Sequence, residues 1–181
     1  LSDNYNALST TASSVSVTPK SATVSATATQ LTYNASTQNQ LAETTSGFIA
    51  GDAVAITGQA SGKNAGTYAS NLALSGADLG NYSVTVNNAN LVIDKANLSL
   101  SGTRVYDAGT SFAGQYLSAT GVAGETFTVT GSGDATNLAS KNVQTAQALN
   151  SVTGLTLGTS ANGGLSDNYN ALSTTASSVS V

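Results

Sequence analysis

Apolar and polar residues alternate along much of this chain. Tyr82, Val84 and Val86 are separated by Ser83 and Thr85, and Phe127 and Val129 sit among Thr126, Thr128 and Thr130. Leu91 with Ile93, then Leu98 with Leu100, keep the same two-residue period. A strand buried on one face needs that period, because successive side chains point to opposite faces. The interleaved Thr suits the wet face, since a β-branched residue fits a pleated surface. Gly-rich stretches at 46–47, 58–62 and 161–164 predict turns between the runs. The Asn-Tyr pairs at 81–82 and 168–169 each predict the start of a strand, with Asn tolerating the turn before it. Helical periodicity is scarce: 38–44 and 135–141 could each supply a turn of helix, without the length or apolar stripe of a stable one.

The pattern is repeated at two scales. Residues 1–17 read LSDNYNALSTTASSVSV, and residues 165–181 read the same seventeen letters. Identity at a fixed period is the signature of an array, so residues 1–17 are expected to be the closing strands of a preceding unit. Within the period, Leu31 to Asn34 is echoed by Arg104 to Asp107, and Ala50 to Gly58 by Ala123 to Gly131, both 73 positions later (Tyr33 to Tyr106). Lys63 to Thr67 matches Lys141 to Thr145, and Asn81-Tyr82 matches Asn168-Tyr169. Four echoes in one order describe a duplicated module with insertions in the second copy. The expected organisation is residues 1–17, then a module over 18–94 and another over 95–181. The joints fall near Pro19-Lys20 and Asp94-Lys95, with hardly any linker. A short joint predicts a stiff rod, and few large aliphatics per module predict a thin core that neighbours must help to stabilise. Residues 1–17 are expected to pair along the first module as its upstream joint, or with a neighbouring chain.

Composition narrows the chemistry. The chain has no Cys, His, Met or Trp, and 5 basic against 9 acidic residues give a net charge of -4. Charged residues make up 8%, against roughly 25% in an average soluble domain. Without Cys or His there are no disulfides, and the usual metal ligands and the usual base near neutrality are missing. An acidic chain lacks the basic footprint that nucleic acid or an anionic membrane requires. No stretch reaches the length of about 18 apolar residues that a membrane span demands.

Several motifs together carry a resemblance. Val105-Tyr106-Asp107-Ala108-Gly109-Thr110, the Ala123-Gly124-Glu125 segment with Phe127 to Gly131, Lys141-Asn142-Val143, Gly154 to Leu157 and Asp167-Asn168-Tyr169 resemble the YDG repeat of large secreted bacterial adhesins. Residues 18–94, with Leu31-Thr32-Tyr33, Gly51-Asp52, Lys63 to Tyr68 and Leu74 to Tyr82, are similar to the MBG repeat that often alternates with it. Three departures stand out: Ala108 splits the Tyr-Asp-Gly, Gln144 replaces a Gly, and Gly158 to Leu165 lengthens the last loop. The resemblance implies a mainly β fold of tandem, small, elongated modules, immunoglobulin-like or β-grasp-like in build, with little or no helix. It also implies an extracellular or cell-surface filamentous-haemagglutinin-like or biofilm-matrix adhesin.

No residue qualifies as catalytic, cofactor-binding or metal-binding from the sequence. Tyr33 and Tyr106, and likewise Tyr82 and Tyr169, occupy equivalent positions; ligand stacking is one reading, but a half-buried Tyr filling a thin core with its hydroxyl on a loop backbone is the commoner one. Lys63 and Lys141, each followed by Asn, suggest an isopeptide cross-link only if buried with an acid, and adjacent strand residues face opposite ways; solvated lysines on an edge strand are the expectation. Asp52, Asp78, Asp94, Asp107, Glu125, Asp134 and Asp167 are spread singly, unlike a calcium loop or a selected glycosidase pair. Asn34, Asn81 and Asn97 begin Asn-x-Ser sequons, which matter only in a glycosylating host. The expected function is a stalk or filament repeat in adhesion, aggregation or biofilm matrix, and not an enzyme. Its expected partners are neighbouring copies through strand edges and extracellular polysaccharide or host glycan, without cofactor, nucleic acid or membrane insertion. The alternative is that each repeat is itself a glycan- or protein-binding module.

Overall fold

The structure, a computed structural model, describes residues 13–181. It is mainly β, and every helical segment among the described residues is a single 3-10 turn of three residues. The first half contains β1 (Lys20–Ser25), β2 (Thr29–Thr32), β3 (Gln38–Asn39), β4 (Thr44–Ser46), β5 (Ala55–Thr57), β6 (Ser61–Gly62), β7 (Gly66–Ala69), β8 (Ala73–Ser75), β9 (Tyr82–Asn87) and β10 (Asn90–Asp94). The second contains β11 (Ser99–Thr103), β12 (Leu117–Thr120), β13 (Thr126–Thr130), β14 (Thr156–Ser160) and β15 (Ser177–Ser180). The alternating runs of the sequence became β9, β10, β11 and β13, as their period requires.

The first and last strand paths of each half lie side by side and run parallel. In the first half β1 pairs with β9 and β2 with β10, with Lys20 beside Tyr82, Ser25 beside Asn87, Thr29 beside Leu91 and Thr32 beside Asp94. The register never slips although both paths change sheet between their two strands: β4-β1-β9 form one sheet and β2-β10-β7 the other. In the second half Ala96 bridges Tyr169 and β11 pairs with β15, at the edge of a five-stranded sheet ordered β14-β13-β12-β11-β15. Parallel neighbours need a long return connection, which the intervening strands supply. Because the paths are parallel, the chain enters each half at one pole and leaves it at the other.

One buried cluster crosses the boundary. Tyr33, Leu91 and Ile93 join Ala96, Leu98 and Leu100, and through them Phe112, Phe127, Leu138, Leu149 and Val179. Leu91, Ile93, Leu98, Leu100 and Phe127 are apolar positions of the alternating runs, Tyr33, Phe112, Leu138 and Leu149 come from connections, and the chain passes from β10 to β11 with only four residues between. Ala22, Val24, Leu72 and Tyr82 are buried outside this cluster, near the other pole of the first half.

Some local expectations did not hold. Residues 38–44 hold β3 and the approach to β4, and 135–141 hold only a turn, so neither is helical. Gln38–Asn39 is held extended by its pairing with Ser61–Gly62, and within 135–141 the Asn137 side chain holds the turn by accepting the Asp134 and Phe112 N–H groups at 2.6 and 3.1 Å. Ser61–Gly62, expected as a turn, is β6 and pairs with β3. The repeated seventeen residues have two fates. Ser177–Ser180 is a strand with Val179 fully buried, whereas the identical Val15 and Val17 are 89% and 94% exposed and residues 13–19 are in no strand. The expected pairing of residues 1–12 lies outside the described residues.

Candidate functional site

The two halves present the same device, built from the echoes of the sequence. In the first half Tyr82 begins β9 immediately after a 3-10 turn at Leu79–Asn81. Its hydroxyl donates to Asp52 and accepts the backbone N–H of Ile49 at 2.9 Å. In the second half Tyr169 follows the 3-10 turn at Ser166–Asn168. Its hydroxyl donates to Glu125 Oε2 at 2.8 Å and accepts the backbone N–H of Val122 at 3.0 Å. Ile49, Asp52 and Tyr82 are the sequence counterparts of Val122, Glu125 and Tyr169.

At the boundary between the halves a third member enters. Tyr33, at the end of the β2 path, donates its hydroxyl to the other oxygen of Glu125, Oε1, at 2.8 Å. Its ring meets Tyr169 edge to face at 5.5 Å, and Tyr169 meets Phe127 in the same manner at 5.2 Å. Beside them Asn168, 2% exposed, accepts the N–H of Ala65 through Oδ1 at 2.8 Å and donates through Nδ2 to Asn64 Oδ1 at 3.1 Å. Gly121 makes this possible, since a Cβ there would overlap the Tyr169 ring. One carboxylate thus takes two tyrosine hydroxyls, one from each half.

The electrostatics follow from burial. Loss of solvent first, and the hydrogen bond to Glu125 second, push the hydroxyls of Tyr33 and Tyr169 above their ordinary 10.0. Tyr82 is raised chiefly by its hydrogen bond to Asp52. The raised values favour the protonated hydroxyls, which act as hydrogen-bond donors to Asp52 and Glu125.

Tyr106, the counterpart of Tyr33, is elsewhere: 49% exposed on the opposite pole, with Val105 at 87% and Val143 at 73% nearby in the sequence echoes. Its turn is nonetheless built like that of Tyr33. Asp107 Oδ1 accepts the Gly109 N–H at 2.8 Å as Asn34 Oδ1 accepts the Ser36 N–H at 2.9 Å. Ala108 and Ala35 both adopt positive φ, 63° and 64°. Ala108 therefore does not split the Tyr-Asp-Gly opening; it stands in the glycine's place and its conformation. Arg104, 4% exposed, braces the turn by pairing with Asp107, by donating to Gly109 O at 2.7 Å and Val105 O at 3.2 Å, and by lying over Phe112.

The remaining sequence candidates scatter. Lys63 and Lys141 are exposed, as expected, but in connections and not on edge strands. Asp78 caps the Ala53 N–H at 2.7 Å, Asp94 accepts from Gln30 at 2.7 Å, and Asp134 accepts from Thr136. Only Asp52 and Glu125 join the tyrosines, a pairing that sequence reasoning missed. The signal was present, since an acid recurs in one echo and an Asn-Tyr in another.

Among known proteins, the YDG domain matches residues 91–177. The second half of the chain is thus a YDG-like module, and the match begins in β10, on the first-half side of the joint. Neither the curated proteins nor the solved structures contain a significant match to the chain.

Proposed function

We propose that this chain, a YDG-like module preceded by a smaller relative of it, is a structural repeat of a secreted or surface bacterial adhesin, and that it works as a stalk or filament in adhesion, aggregation or biofilm matrix. The observation that carries the reading is the joint. Parallel first and last strands send the chain in at one pole and out at the other, and the Tyr33–Glu125–Tyr169 network fastens one module to the next. Modules joined in this way extend in a line, and the seventeen duplicated residues extend the line to further copies. Length and stiffness are then the product: many copies project a terminal site or hold many weak sites at high effective concentration. The MBG-like character of residues 18–94, the extracellular location, the glycan partners and the lack of a catalytic role belong to this proposal.

The test compares lengths. Chains of one, two and four periods are measured by small-angle scattering and for binding on glycan arrays and to cells. A stalk predicts a maximum dimension that grows in proportion to copy number, with no glycan retained by a single period. A single period that binds a polysaccharide by itself would replace the stalk with a binding module.

A further inference from the structure

The first half carries an open copy of the joint. Val17, Thr18, Pro19, Lys20, Ile49, Asp52, Asn81 and Tyr82 surround a cleft of about 460 Å³. Ile49, Asp52, Asn81 and Tyr82 are the counterparts of Val122, Glu125, Asn168 and Tyr169, the residues that receive Tyr33. Asn168 is buried where it meets Asn64 and Ala65, whereas Asn81 is exposed. One oxygen of Asp52 takes the Tyr82 hydroxyl, and the other accepts no hydrogen bond among the described residues, although the same position on Glu125 takes Tyr33. The opposite pole carries the matching plug, an exposed Tyr106 with Asn142 and Val143, the counterparts of Tyr33, Asn64 and Ala65.

We propose that successive repeats lock head to tail by inserting Tyr106 of one copy into the Asp52–Tyr82 cleft of the next. Asn142 and the Val143 N–H then meet Asn81, and the Tyr106 hydroxyl shares Asp52 with Tyr82. The inference rests on reading the chain as a repeat, and on nothing about what the array adheres to.

Three further observations fit this lock. The spacing is the same: Leu91, Ile93 and Ala96 at the internal joint correspond to Val15, Val17 and Lys20, and Ala96 bridges Tyr169 just as Lys20 pairs with Tyr82. The closing strand is also held alike, since Gln144 and Val181 exchange backbone hydrogen bonds at 3.2 and 2.9 Å where Gly66 pairs with Ile93. Finally, the Tyr106 turn is already braced by Arg104, so little ordering is left for docking. Such an interface joins two different patches of one chain, and interfaces of that kind propagate into open filaments.

The experiment uses a tandem in which residues 18–181 are followed directly by a second copy of 18–181, so that Val181 precedes Thr18 as Val17 does here. Tyr106 of the second copy is replaced by Phe, leaving only the joint Tyr106 to report. Nitration by tetranitromethane, read by mass spectrometry, is compared with the 181-residue chain. In the single chain Tyr106 should react like Tyr116, which is 45% exposed. In the tandem it should become as unreactive as Tyr33, and Asp52→Ala or Asn81→Ala in the second copy should return it to the reactivity of Tyr116. Continued protection of Tyr82 in the Asn81→Ala tandem shows that the receiving module is folded. A joint Tyr106 as reactive as Tyr116, or protection indifferent to both substitutions, overturns the inference. Scattering from the same tandem separates the two failures: an extended particle with a reactive Tyr106 leaves the stalk reading standing, and a flexible one removes both.

Discussion

Among the described residues, four alanines, Ala35, Ala108, Ala123 and Ala146, hold positive φ, a conformation that costs an L-residue roughly 1–2 kcal/mol. At Ala35 and Ala108 the hydrogen bonds that Asn34 and Asp107 accept to close the turn offset part of that cost. Glycine at either position relieves the backbone but gives the unfolded chain more freedom. The balance favours Ala108→Gly by about 0.5–1 kcal/mol, measurable as a higher denaturant midpoint. Gly121 makes the opposite case. Its missing side chain leaves room for the Tyr169 ring, the contact is with a buried aromatic that cannot swing away, and Gly121→Ala is expected to cost about 2 kcal/mol or more. If Gly121→Ala left the denaturant midpoint unchanged, the packing described around Tyr169 would be wrong.

Between elements, the carboxylate of Glu125 is the piece that decides. Glu125→Ala removes the carboxylate that accepts from both tyrosines and leaves two buried hydroxyl protons without an acceptor, a loss of about 2–4 kcal/mol. The same network sets a pH dependence. The hydroxyls of Tyr33 and Tyr169 hold their protons more firmly in the folded chain than their ordinary 10.0. Folded values above the unfolded ones mean that this contribution is complete below pH 10 and fades as pH climbs through the raised values. Denaturant midpoints are therefore expected to fall on the alkaline side of that point, and a Tyr33→Phe, Tyr169→Phe chain should show a flatter fall. The strands of this network were legible in advance, because Tyr82, Val84, Leu91, Ile93, Phe127 and Val129 alternate with polar neighbours. The short strands Gln38–Asn39 and Thr44–Ser46 were not, since nothing in such polar segments distinguishes a strand from a loop until a partner lies beside it. The carboxylate partners were hidden for a related reason: Glu125 and Tyr169 are 44 residues apart, and only the folded chain shows which of seven scattered acids meets a tyrosine.

For the whole molecule, the question is whether the two halves unfold together. A cluster that runs from Tyr33 and Ile93 into Leu98 and Phe127 without a break gives neither half a core of its own at the joint. Small β modules bury a low fraction of their surface and are marginal alone, so coupling across the joint contributes much of what holds each folded. A single calorimetric transition is expected, with the calorimetric and van't Hoff enthalpies in agreement. Tyr33→Ala should break that agreement. It opens a cavity at the boundary, takes one hydroxyl from Glu125 and leaves Tyr169 with only Phe127 of its two edge-to-face partners, yet it touches neither Tyr82, whose ring packs on Phe48 with centroids 4.9 Å apart, nor the inner strands of the second half. The first half, left with the small core of Ala22, Val24, Leu72 and Tyr82, should melt first and the YDG-like module later. Two resolved transitions in the variant and one in the parent chain would locate the cooperativity in the joint. Two transitions already present in the parent would mean that the modules are independent beads, and stiffness would then have to come from the strand path alone.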